Sequence, residues 1–119
     1  MRMTVEDFVA ALAAEVPEVA PIVQEHIRDN GGLLLHLLTA DLRRYAIEAF
    51  NSGASDVVRR LLSLIDRAPR EGTDSVTNAM AESFVEDTGW WDDEMQPFIA
   101  TWPEGLKAEA ENQRAWRRP

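Results

Sequence analysis

His26 and His36 are the only side chains of this 119-residue chain whose ordinary titration falls near neutral pH. General acid–base chemistry would have to run through one of them. His36 interrupts the leucine run Leu33 to Leu38, with Asp41 five residues on. It reads either as a core-edge residue with an ordinary hydrogen bond or as a site histidine. No cysteine is present, and Ser63 and Ser83 lack the Gly-x-Ser-x-Gly turn that exposes a nucleophile. No catalytic residue is therefore assigned, and the chain is not expected to be an enzyme. Glu82 and Glu86 are four apart and share a helix face with Ser75 and Asn78. Paired carboxylates can ligate a hard cation or share a proton. No histidine stands at metal spacing from them, and Asp92-Asp93-Glu94 lacks the spaced oxygens and glycine of a calcium loop. A solvated helix face is the plainer reading, and no metal or cofactor is expected. Like charges at this spacing mildly weaken a helix, which invites a partner as their reason.

The distribution of charge is more telling than any catalytic pattern. From Glu71 to Leu106 the chain holds nine acids and no Lys or Arg, while the rest balances twelve acids against twelve bases. The net charge of −9 is therefore a local property. Three of the four tryptophans (Trp90, Trp91 and Trp102) lie in the same stretch. An acidic field beside large aromatic anchors suits a basic protein partner through stacking, cation–π contact and carboxylate pairing. The expected contact residues are Glu82, Glu86, Asp87, Trp90, Trp91, Asp92, Asp93, Glu94 and Trp102. Adjacent residues such as Trp90 and Trp91 cannot both point the same way, so one is expected inside and the other outside. The competing reading is that these tryptophans pack the last helices onto the body. Val85, opposite Val76 and Met80 on its helix, adds to an exposed patch. Arg43-Arg44 and Arg59-Arg60 have Asp41, Glu48 and Asp56 within helical reach, so internal pairing is expected instead of a basic groove.

Length and composition bound the rest. A chain of this size is expected to form a single domain, 1–119, that buries roughly two-thirds of its unfolded surface. At 45% hydrophobic and 28% charged residues it falls in the globular class, outside the disordered one. Absence of cysteine fits a reducing cytoplasm. Glu6, Asp7 and Glu15 break up the N-terminal apolar pattern, which is wrong for a secretory signal. The run Leu33 to Leu35, resumed at Leu37-Leu38, is far below the roughly 18 residues of a spanning helix, so no membrane is expected. The acidic balance argues against nucleic acid, whose phosphates need clustered Lys and Arg.

The periodicity that must position these residues is helical nearly throughout. Thr4, with Asp7 three residues on, caps a helix whose stripe is Val5, Phe8, Val9, Leu12 and Val16, ended by Pro17. A short helix puts Val19, Ile22, Val23 and Ile27 on one face and stops at Gly31-Gly32. A third, about 34–50, carries Leu34, Leu35, Leu38, Leu42, Tyr45, Ala46 and Ala49. Ser55 caps a fourth, 56–68, apolar over so much of its circumference that it belongs near the centre of the core. Pro69 to Gly72 is read as a loop. Thr73 caps a fifth helix to about Thr88, stopped by Gly89. Asp92 or Asp93 starts a sixth, which admits Pro97 only in its first turn. Pro103 opens a last helix with a thin apolar face, expected to fray over 112–119. No segment alternates as a strand does. The expectation is an all-α, compact array of about six to seven short antiparallel helices.

The segments HLLTADLRRYAIEAF (His36 to Phe50) and DSVTNAMAESFVED (Asp74 to Asp87) resemble a family of small bacterial helical domains of unassigned activity. Some of those domains are similar to immunity proteins encoded beside polymorphic toxins. The pattern touches His36, Asp41, Leu42, Asp74, Val76, Asn78, Ser83, Phe84 and Glu86, about the middle half of the chain. The resemblance implies no catalytic residue. It implies instead an acidic inhibitor that occludes a basic toxin or effector domain. The alternative is a self-associating structural or regulatory module, a homodimer through the Trp-rich region.

Overall fold

Thr4 opens the first helix with a reciprocal cap: its Oγ1 accepts the Asp7 N–H at 3.1 Å, and the Asp7 carboxylate accepts the Thr4 N–H at 3.0 Å. The computed structural model describes residues 2–117, the side chains at 116 and 117 excepted. Helix α1 is Val5–Glu15, and a 3-10 turn, Pro17–Val19, leads into α2, Ala20–Asn30. Gly31 ends α2 at φ 69°, a left-handed conformation that costs glycine nothing. Then come α3, Leu35–Asn51, and α4, Ser55–Glu71. Helix α5, Asp74–Ala79, continues as a π-helical segment, Met80–Glu86. A 3-10 turn, Asp93–Met95, precedes α6, Gln96–Ile99, and α7 is Glu104–Arg117. The described residues thus form seven helices and no strand, with one isolated bridge between Met3 and Gly72. The chain is still helical at Arg117; residues 118–119, in the stretch expected to fray, lie outside the described residues.

Helix α4 is the central element, packing against α1, α3, α5 and α7. It buries Val57, Val58, Leu61, Leu62, Leu64, Ile65 and Ala68. Around it close Phe8 and Leu12 of α1, Leu38, Leu42 and Ala46 of α3, Val76 of α5 and Leu106 of α7. Phe84, Phe98 and Trp102 form an aromatic layer, with centroids 6.0 Å (Phe84–Trp102) and 5.9 Å (Phe98–Trp102) apart.

Several boundaries and faces differ from the sequence reading, each for a local reason. Pro69 does not begin a loop: α4 runs through it to Glu71. Proline sits in the last turn, where its missing N–H forfeits one bond, and the Arg70–Asp66 and Arg67–Glu71 pairs at i,i+4 span it. Gly72 then lets α5 approach, since a Cβ there would stand 2.8 Å from Val76 Cγ1. Ser55 and Thr73 make no side-chain cap; the cap position of α4 falls to Ala54. In α2 it is His26 that turns inward, while Ile27 is 42% exposed. The Asp92 carboxylate does accept the Glu94 N–H at 3.0 Å, and Pro97 lies in the first turn of α6.

Charges of the body pair with one another across α1 and α4. Arg60 bridges Glu18 and Asp56, and Arg67 meets Glu15 at 2.5 Å. The hydrogen bond from Arg60 holds the Glu18 carboxyl down to about 2, against an ordinary value near 4.5. A carboxyl depressed in the folded state stabilises it above the unfolded value, and that contribution is lost as pH falls towards the folded one. Urea midpoints should therefore show wild type above Glu18→Gln at neutral pH, with the gap narrowing between pH 4.5 and about 2. A gap that does not depend on pH contradicts the pairing.

Candidate partner-binding surface

The surface is built from the end of α5 outward. The π-helical segment has a wider turn than an α-helix, so consecutive residues rotate less about the axis. Ser83, Phe84 and Val85 accordingly all face inward, and Val85 is fully buried against α7 instead of completing an exposed patch. Gln113 of α7 holds this arrangement: its Nε2 donates to the Ala81 carbonyl at 2.9 Å, and its Oε1 accepts Trp90 Nε1–H at 2.9 Å. Thr88 Oγ1 donates to the Phe84 carbonyl at 2.6 Å, and Gly89 then reverses the chain at φ 77°.

Two of the three expected tryptophan anchors drop out of the surface. Trp102 is 3% exposed, wedged edge-on against Phe98, because α6 and the following turn carry it against Phe84 of the π-helical segment. Trp90 is 6% exposed, its indole N–H engaged by Gln113 and its ring covered by the Arg114 guanidinium at 5.4 Å. Trp91 is 56% exposed and meets Trp90 edge-on at 5.1 Å. One neighbour points in and the other out, as adjacent positions demand.

The carboxylates stay outside. Glu82, Asp87, Asp92, Asp93 and Glu94 are exposed; Glu86 is half-buried and is not free. Glu82 lies 3.9 Å from His36 Nδ1. Asp87 faces Arg43, whose guanidinium is pushed below its usual range by burial, with Asp87 opposing the shift and Arg44 adding to it. Asp92, Asp93 and Glu94 make no ion pair among the described residues. Several bases of the body are otherwise occupied: Arg44 by Asp41, Arg59 and Arg60 by Asp56, Arg70 by Asp66, Arg114 by Glu111. The chain from Glu82 to Glu94 therefore carries six acids and no base of its own.

His36 is half-exposed, and its Nδ1 lies 2.9 Å from Ser83 Oγ. The serine is buried, so the pair joins α3 to the π-helical segment and presents no open nucleophile. His26, the other histidine, is buried and bonded into the α2–α3 corner. Among the described residues no three His, Asp or Glu side chains converge as metal ligands would. No helix among them is long and apolar enough to cross a membrane. Sequence reasoning missed Gln113, the inward position of His26 and the π-helical segment. A hint was present in Ser83-Phe84-Val85, three consecutive residues that an ordinary helix cannot all bury with ease.

The chain belongs to the family described as Domain of unknown function (DUF7674), which matches residues 9–117. No curated protein and no solved structure matches it.

Proposed function

We propose that this DUF7674 member is a non-enzymatic binding protein that engages a basic protein partner through the face running from Glu82 to Glu94. The observation that carries this reading is the exposed Asp92-Asp93-Glu94 run, which makes no ion pair among the described residues, beside a 56% exposed Trp91. Carboxylates left without a counter-charge steer a cationic partner, and a protruding indole anchors it once it arrives. Trp91 takes over the anchoring first expected of three tryptophans. The most concrete form is an immunity-type inhibitor that occludes a basic toxin or effector domain, a form suggested by the resemblance of the 36–50 and 74–87 segments. A self-associating module has only Trp91 left from which to build its aromatic seam, and is the weaker reading.

Affinity capture from the native cells tests this. Wild type should retain a protein of net positive charge in dilute buffer and release it as salt shortens the screening length below about 8 Å. The triple variant D92N/D93N/E94Q should lower the association rate about tenfold or more, while Trp91→Ala should mainly speed dissociation. Recovery of no basic protein in either salt, or equal recovery by the triple variant, contradicts the proposal.

A further inference from the structure

A second feature lies between α2 and α3, apart from the 82–94 face. There the two helices enclose an open cleft of about 510 Å³, walled by Glu25, Asp29, Asp41 and Glu48, with Arg44 and Tyr45 beside them. Four carboxylates thus oppose one guanidinium. Arg44 is taken up by Asp41, and Asp29 stands 3.7 Å from Arg28. Glu25 and Glu48 have no ion pair among the described residues.

The floor of the cleft is His26, whose side chain is 0% exposed. Leu34 N–H donates to its Nε2 at 3.0 Å, so the ring proton resides on Nδ1. Asn30 cannot receive that proton: its Nδ2 is 3.3 Å from Nδ1 but is a donor, committed to the His26 carbonyl at 2.8 Å. The Nδ1–H therefore faces Asp41 Oδ2, 3.7 Å away and beyond hydrogen-bond length. The same histidine ties Leu34 to α2 and so fixes the rim. Beside the cleft two leucines stay outside: Leu34, bonded to His26 through its N–H, is 49% exposed and Leu37 is 50% exposed. Leu37 itself lines the cleft.

An apolar rim next to uncompensated carboxylates and a tyrosine ring selects its occupant. Anionic lipid headgroups are repelled, and a neutral apolar segment would leave Glu25 and Glu48 desolvated without partners. We infer that the α2–α3 corner is a docking surface for a basic amphipathic segment of another protein, with an arginine or lysine side chain entering the cleft over Tyr45. Apolar side chains of that segment rest on Leu34 and Leu37. The inference does not depend on the 82–94 face.

The test titrates the ¹⁵N-labelled full chain with a short capped peptide carrying leucines and arginines at helical spacing. Saturable shifts are expected at the Leu34, Leu37 and Tyr45 amides. The variants E25Q/E48Q and L37K, which alter only the cleft wall and rim, should each weaken binding about tenfold. A peptide with glutamate in place of arginine should leave those amides unmoved. The inference is overturned if the shifts centre on 92–94 with Leu34 silent, if an arginine-only peptide binds equally well, or if E25Q/E48Q binds within about twofold of wild type. It is also overturned if sedimentation finds a dimer abolished by L37K, which would assign the rim to a second copy of the chain.

Discussion

Trp102→Ala lowers the free energy of unfolding by about 3–5 kcal/mol, whereas Trp91→Ala lowers it by less than about 1 kcal/mol. The two indoles are close in sequence, yet the first is 3% exposed and the second 56%. Removing Trp102 strips Phe84 and Phe98 of their common neighbour and opens a large void in the aromatic layer, which the surrounding helices can close only in part. A thermal midpoint lower by on the order of 10 °C or more is the matching observation. A second variant sharpens the test. Trp102 Nε1 is buried with no hydrogen-bond partner among the described residues. Trp102→Phe removes that stranded donor along with some volume, so it should cost only about 1 kcal/mol. Equal losses from Trp102→Ala and Trp91→Ala, read from urea unfolding, would contradict the division into one buried and one presented indole.

Asp66→Ala is the second large effect, at about 2–4 kcal/mol. Asp66 lies on α4 with its side chain 10% exposed, and its Oδ1 accepts Leu106 N–H at 2.9 Å. It thereby caps the first turn of α7 from another helix, 40 residues away. Its Oδ2 meets Arg70 at 3.0 Å. A negative group at a helix N-terminus also opposes the positive end of the helix dipole. Truncation leaves a buried N–H unsatisfied and loosens the helix that supplies Gln113 to Trp90. Asp66→Asn keeps an acceptor but gives up the charge, and should cost about half as much. Gly105→Ala should mimic the loss, because a Cβ there would stand 2.5 Å from Asp66 Oδ1. Combining it with Asp66→Ala should add little, as both break one contact. Strictly additive losses would contradict the shared cap.

Local chemistry was legible where neighbours in sequence decide the outcome. The Thr4–Asp7 cap, the stops at Gly31 and Gly89, Pro97 in a first turn and the many-sided apolar α4 all follow from spacing and backbone preference. What spacing could not fix was which face meets a distant helix. Trp90 and Trp91 are a coin with two sides until Gln113, 23 residues on, takes hold of one. His26 displaced Ile27 from the interior because Leu34 N–H needed an acceptor across the Gly31-Gly32 turn. Val85 went inside because the π-helical segment turned it towards α7, and Trp102 followed α6 into the aromatic layer. The candidate surface was legible in its charge, since carboxylates without bases nearby must stay in water. Its aromatic content was not, since an indole serves a core as readily as an interface.

The proposed function requires that unbalanced negative charge be concentrated on the 82–94 face. Per-residue relaxation enhancement by a cationic and an anionic nitroxide of matched size measures that field directly. The cation-to-anion ratio should be highest at the amides of Asp92, Asp93 and Glu94 and at the Trp91 indole N–H. Along α4 at 55–60, where Arg59 and Arg60 meet Asp56 and Glu18, it should stay near unity. A ratio as high at 55–60 as at 92–94 would mean that the charge is spread over the whole surface and would contradict the proposed function.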